Sequence, residues 1–193
     1  MKRFIKLLAI PLILIAGTVL IYLAVSQFFK KEPKEEITIG PGEETLKEIS
    51  EIKKADYLAP DFELLNIQEE KVKLSDFENK IIVLTFWTTW NPAAQDQIAI
   101  LESYFQEIKE SKDIVLLTIN NLEDKSIVSN FIKRGDYVLK VLLDEKGEVG
   151  ESYKISALPA TYFINQEGKV KETYIGILSK EEIKNRVEGL YAR

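Results

Sequence analysis

Thr85-Phe86-Trp87-Thr88-Thr89-Trp90-Asn91-Pro92-Ala93-Ala94 joins two patterns that fold differently. Before the junction, Ile81 to Trp87 is a nearly continuous β-branched and aromatic run. That is the composition of a strand buried on both faces of a mainly parallel sheet. After it, Ile98, Ile100, Leu101, Tyr104, Phe105 and Ile108 recur at helical spacing through Lys109. Asn91 suits the N-cap and Pro92 the first helical position. A strand feeding a helix N-terminus gathers free backbone N–H groups and the positive end of the helix dipole at residues 91 to 94. Two tryptophans flank this turn, and at least one is expected at the surface, where aromatic side chains favour partner contact.

Working outward, Asp113 to Asn120 repeats the buried-strand pattern, and Asn120, Asn121 and Asp124 end it before a second helix. Strand, helix, strand in this order is a βαβ unit, with a right-handed crossover in nearly all known cases. Ile127, Val128, Phe131 and Ile132 give the second helix its apolar face, and Gly135 ends it. Gln166-Glu167-Gly168 reads as a hairpin turn, Lys169–Ile175 as the last strand, and Ser179 with Glu182 as a capping box for a closing helix to Tyr191. Upstream, Phe62–Leu65 and Lys71–Leu74 flank a polar turn and read as a hairpin.

The composition excludes several kinds of chemistry. The 193 residues contain no cysteine and no histidine. Disulfides, thiolate nucleophiles, thiolate metal sites and histidine-based triads are therefore ruled out, and no cofactor is expected. The first 29 residues hold no acid, and the rest of the chain carries 23 Lys+Arg against 31 Asp+Glu. A domain this acidic is poorly suited to gripping phosphate backbones, so no nucleic-acid partner is expected.

Residues 7–29 are uncharged and mostly Leu, Ile, Val and Ala, long enough as a helix to cross a bilayer core of roughly 30 Å. A cleaved secretory signal is the alternative, since Lys2, Arg3 and Lys6 form a basic leader and Ala24-Val25-Ser26 offers a small-residue site. The run is longer than the usual signal core. Residues 1–6 are then a short N-terminus, 7–29 a transmembrane helix, 30–57 a charged linker broken by Pro33 and Gly40-Pro41-Gly42, and 58–193 the folded domain. Leu46, Ile49 and Ile52 give residues 43–55 a spacing compatible with a short amphipathic helix.

Two separated motifs carry a resemblance to a known family. Trp87, Trp90 and the residues around Pro92 resemble the WxxWCxPC turn of membrane-tethered thioredoxin-like proteins of the TlpA/ResA type. Ile155 to Asn165, with Leu158-Pro159 at its centre, is similar to the stretch in which such proteins hold a cis-proline opposite that turn. Leu58 to Phe62 resembles the opening common to these proteins and to peroxiredoxin-like sequences, and Tyr137–Asp144 with Gly147 to Tyr153 resembles the section that forms the family's inserted strand and short helix, so a strand is expected over Tyr137–Asp144. The resemblance implies an α/β thioredoxin-like fold with a central mixed β-sheet flanked by helices, a cis Leu158-Pro159 bond, and a domain held outside the cytoplasm by a single-pass anchor. It also implies thiol–disulfide exchange, for example in cytochrome c maturation. Here the sequence departs from the family, because Asn91 and Ala94 stand where the redox cysteines belong. Gln97 replaces the acidic residue of ResA-like members, and Thr85 the buried carboxylate of ordinary thioredoxins.

Asn91 therefore reads first as a helix cap. The favoured function is sulfur-independent binding of an extracytoplasmic protein or peptide in a groove formed by Trp87, Trp90, Asn91, Pro92, Ala93, Ala94, Leu158 and Pro159. In that groove the Leu158 backbone would pair with an extended chain. The alternatives are thiol–disulfide exchange, peroxide reduction and a structural spacer; the first two need a thiolate that this chain lacks.

Overall fold

The computed structural model describes residues 53–191. The expected N-terminus, membrane span and tether up to residue 52 lie outside them. Among the described residues no helix is long and apolar enough to cross a membrane.

Strand β4 (Ile81–Trp87) is buried at every position and lies at the centre of the sheet. It runs parallel to β5 (Ile114–Asn121), with Ile81 opposite Ile114 and Trp87 opposite Asn120. On its other side it runs antiparallel to β7 (Ala160–Ile164). The two-residue period of the strand divides the interior into two cores. Ile81, Val83 and Trp87 face one side, against helix α1 (Pro92–Ile108), α2 (Lys125–Arg134) and α4 (Lys180–Tyr191). Ile82, Leu84 and Phe86 face the other, with Phe62, Leu74, Tyr153 and Tyr162, next to α3 (Glu148–Ser152). Thr85 interrupts the apolar series, and its hydroxyl pairs with that of Thr161 on β7 at 3.0 Å.

The remaining strands are β1 (Lys53–Leu58), β2 (Glu63–Asn66), β3 (Lys71–Lys73), β6 (Val141–Asp144) and β8 (Lys169–Ile175). Among the described residues the mixed sheet has eight strands in the order β1-β8-β7-β4-β5-β6-β2-β3. The hairpin β2–β3 joins through β6 at one edge. At the other edge β1 pairs antiparallel with β8, with an irregularity between Lys54 and Tyr57.

Two expectations change. Residues 53–57, assigned to the tether, belong to the sheet. Their charges do not oppose this, because β1 is an edge strand, where lysines and a bulge discourage pairing with a further chain. The strand expected over Tyr137–Asp144 forms only from Val141. Asp136 turns the chain with φ 52°, Tyr137 packs on Phe131 at 5.8 Å between ring centres, and the Val138 N–H donates to Glu102 at 2.9 Å instead of to a neighbouring strand.

Candidate functional site

The turn after β4 is held from three sides. Asn91 caps α1 as its sequence position suggests: its Oδ1 accepts from the Ala93 and Ala94 N–H groups at 2.9 and 3.3 Å. The amide has a second partner, since Nδ2 donates to the Leu158 carbonyl at 2.9 Å. One side chain thus both ends the turn and latches it to the loop that carries the cis Leu158-Pro159 bond. On the opposite flank Glu123, between β5 and α2, accepts from the Thr89 N–H and hydroxyl at 2.6 and 2.5 Å and from Asn120 Nδ2 at 2.7 Å. From α1, Gln95 Nε2 donates to the Thr89 carbonyl at 2.6 Å. The cis-proline loop is secured on its far side, where the Gly176 N–H donates to the Pro159 carbonyl at 2.9 Å.

The structure separates the residues grouped by sequence reasoning. Trp90 is 70 % exposed. Asn91, Ala93 and Leu158 are half-buried, and Pro92 is exposed. Trp87 is fully buried and packs on Phe131 at 5.2 Å, so it is a core residue and offers the groove no surface. Ala94 is also fully buried, and Pro159 lies inside the loop it shapes. The geometry also restricts peptide pairing at Leu158. Its carbonyl is occupied by Asn91, whereas its N–H has no partner among the described residues.

Neutral groups fill the positions where the family resemblance would place proton-transfer acids. Gln97 is fully buried; its Oε1 accepts from the Leu178 N–H at 2.6 Å, while Nε2 has no partner among the described residues. Thr85 is committed to Thr161. Trp87 Nε1 and the Thr88 hydroxyl, both beside the turn, are buried without a partner among the described residues. Burial drives the tyrosines of the interior away from ionisation: Tyr104 and Tyr162 are pushed up to about 12, and Tyr153 is raised further. Among the described residues no cluster of three acidic, cysteine or histidine side chains could hold a metal ion. The site can present surface and hydrogen-bonding groups but supplies neither a nucleophilic sulfur nor a buried acid at the turn.

Glu123 and Gln95 were not singled out from the sequence. Glu123 meets Thr89 across 34 residues, with no local pattern to announce it. Gln95 sits on the polar side of the α1 pattern and looks like any solvated residue.

Comparison with known proteins places this geometry in a family. Residues 56–173 match the AhpC/TSA family. The thiol-disulfide oxidoreductase ResA of Oceanobacillus iheyensis is 34 % identical over 143 residues, spanning 72 % of this chain and 73 % of that protein. Among solved structures, StoA from Bacillus subtilis superposes with a TM-score of 0.60 at 25 % identity, covering 67 % of this chain and 97 % of StoA. The pneumococcal exposed lipoprotein thioredoxin Etrx1 of Streptococcus pneumoniae gives 0.60 at 30 % identity, covering 68 % of this chain and all of that one (100 %). The chain therefore belongs to the AhpC/TSA family, with thioredoxin-like thiol-disulfide oxidoreductases among its homologues, and it carries no cysteine with which to exchange a disulfide.

Proposed function

We propose that this chain is a redox-inactive thioredoxin-like domain that binds an extracytoplasmic protein or peptide through the surface around Trp90, Asn91, Pro92 and Leu158, held at the membrane by residues 7–29. The reaction named for its relatives begins with attack by a thiolate, and the chain has none. The observation that carries the binding reading is Trp90. A large aromatic side chain is 70 % exposed on a turn that Asn91, Gln95 and Glu123 hold in place. A tryptophan already fixed in position loses little freedom on binding, which favours its use as an anchor. The Asn91 latch engages the Leu158 carbonyl, so recognition rests on Trp90 and the Leu158 N–H more than on a full strand-like pairing. The exposed-lipoprotein description of the pneumococcal relative supports a location outside the cytoplasm.

Replacing Asn91→Cys while leaving Ala94 tests this reading in the host cell. The new thiol lies at a helix N-terminus, where its pKa falls, and no second cysteine is present to resolve a mixed disulfide. A discrete adduct on a non-reducing gel, weakened by adding Trp90→Ala, is the expected result. A folded variant whose thiol reacts with a small reagent yet traps no protein would remove the groove as the binding surface.

A further inference from the structure

On the α3 side of the sheet, behind the cis-proline loop, lies a cleft of about 460 Å³. Tyr57, Tyr153 and Tyr162 give it an aromatic wall, and Thr173 adds a hydroxyl. Tyr153 donates its hydroxyl to the Pro60 carbonyl at 2.9 Å and Tyr162 donates to the Tyr153 carbonyl at 2.8 Å. Their phenol oxygens are therefore spoken for, and ring carbon is what they contribute. The two rings meet edge to face, 5.1 Å apart at 84°. Tyr57, from the edge strand β1, is 45 % exposed. Lys54 and Lys154 both line the cleft, both are exposed, and neither makes an ion pair among the described residues. Among the described residues no carboxylate lines it, although the chain as a whole has a net charge of -5.

We propose that this cleft binds a small organic anion with a flat apolar body, an aryl carboxylate in chemical class. The volume lies within the range of small-molecule sites, whose walls are mostly apolar with a few polar groups that set orientation. Tyr57 has the exposed ring on which a flat ligand ring can stack, while Tyr153 and Tyr162, 3 % and 4 % exposed, close the apolar floor beside it. Two lysines beside an apolar wall attract an anion more strongly than they would in open solvent, because the protein side of the cleft screens charge less than water. An acid-free cleft on an acidic domain selects the same sign of charge by excluding repulsion. This inference does not depend on the Trp90 surface.

The test is lysine acylation of the full-length chain in lipid nanodiscs, read by mass spectrometry, with 2-naphthoate or neutral 2-naphthylmethanol at equal millimolar concentration. Naphthoate is expected to slow modification of Lys54 and Lys154 several-fold and to leave the exposed Lys109 and Lys133 unchanged. The alcohol is expected to protect much less, and Lys154→Ala to weaken the protection of Lys54. Equal protection by the alcohol, no protection of either lysine, or protection of Lys54 that survives Lys154→Ala would each overturn the proposal. Protection by an added peptide of residues 43–52, with none from naphthoate, would also overturn it by assigning the cleft to the chain's own upstream segment.

Discussion

Trp87 and Trp90 stand on either side of Thr88-Thr89 and have opposite environments. Trp87 completes a strand whose every side chain is buried, and it packs on Phe131 between the sheet and α2. Trp90 lies past the last sheet pairing of β4 and is 70 % exposed. The difference separates the part of the turn that the core requires from the part that it leaves at the surface. The strand end is part of the core, whatever chemistry the turn performs. The segment from Thr88 to Asn91 is no longer a reactive centre but a loop held by hydrogen bonds, with one aromatic side chain directed outward.

The largest expected effect comes from breaking the buried half. Trp87→Ala should cost about 3–5 kcal/mol, as removal of a buried aromatic does, and move the denaturant midpoint accordingly. A smaller loss would mean that Phe131 and its neighbours collapse into the space. The same interior should fail in alkali. Tyr104, Tyr153 and Tyr162 have folded-state pKa values raised by burial above the ordinary tyrosine value of 10.0, with Tyr104 and Tyr162 pushed up to about 12. The neutral phenol is the form the fold holds, so this contribution is complete below pH 10. It is lost as pH rises, because the unfolded chain ionises first. Unfolding monitored together with tyrosinate absorbance should show the two changes in step above pH 10; ionisation of all three without unfolding would contradict their burial.

A smaller effect separates the two roles of Asn91. Asn91→Ala removes both the cap, worth about 1 kcal/mol, and the bond to Leu158, worth a further 0.5–1.5 kcal/mol or so. Asn91→Asp keeps an oxygen for the Ala93 and Ala94 N–H groups but cannot donate to the Leu158 carbonyl, so it isolates the latch. Asn91→Asp as stable as the native chain, by thermal unfolding at neutral pH, would show that the latch contributes nothing. Smallest of all, Trp90→Ala should change stability by less than about 0.5 kcal/mol, while weakening trapping by the Asn91→Cys variant.

Much of this was legible in the residues, for reasons that differ from place to place. Ile81–Trp87 is an apolar run interrupted only by Thr85 because both faces of β4 are covered, and such runs announce themselves. Asn91-Pro92 announces a helix start because capping is a local event. The same holds for Ser179 and Glu182, whose reciprocal bonds form the expected capping box. The Asn91 bond to Leu158 spans 67 residues and that of Glu123 to Thr89 spans 34, so no local spacing could reveal either. β1 was hidden because Lys53 to Asp56 carries the charge of a tether, which an edge strand tolerates. Which tryptophan faced outward could not be read from composition. Only the extent of the β4 pairing, which ends at Trp87 opposite Asn120, decides it.

The most direct test of the account places an aromatic photocrosslinking residue, which keeps a ring in the place of Trp90, at position 90 of the full-length chain in its host, with position 133 on exposed α2 surface as the reference. The account predicts a discrete crosslinked protein from position 90 that position 133 does not give. Indistinguishable products from the two positions, or none from position 90, would contradict the claim that the turn has become a binding surface.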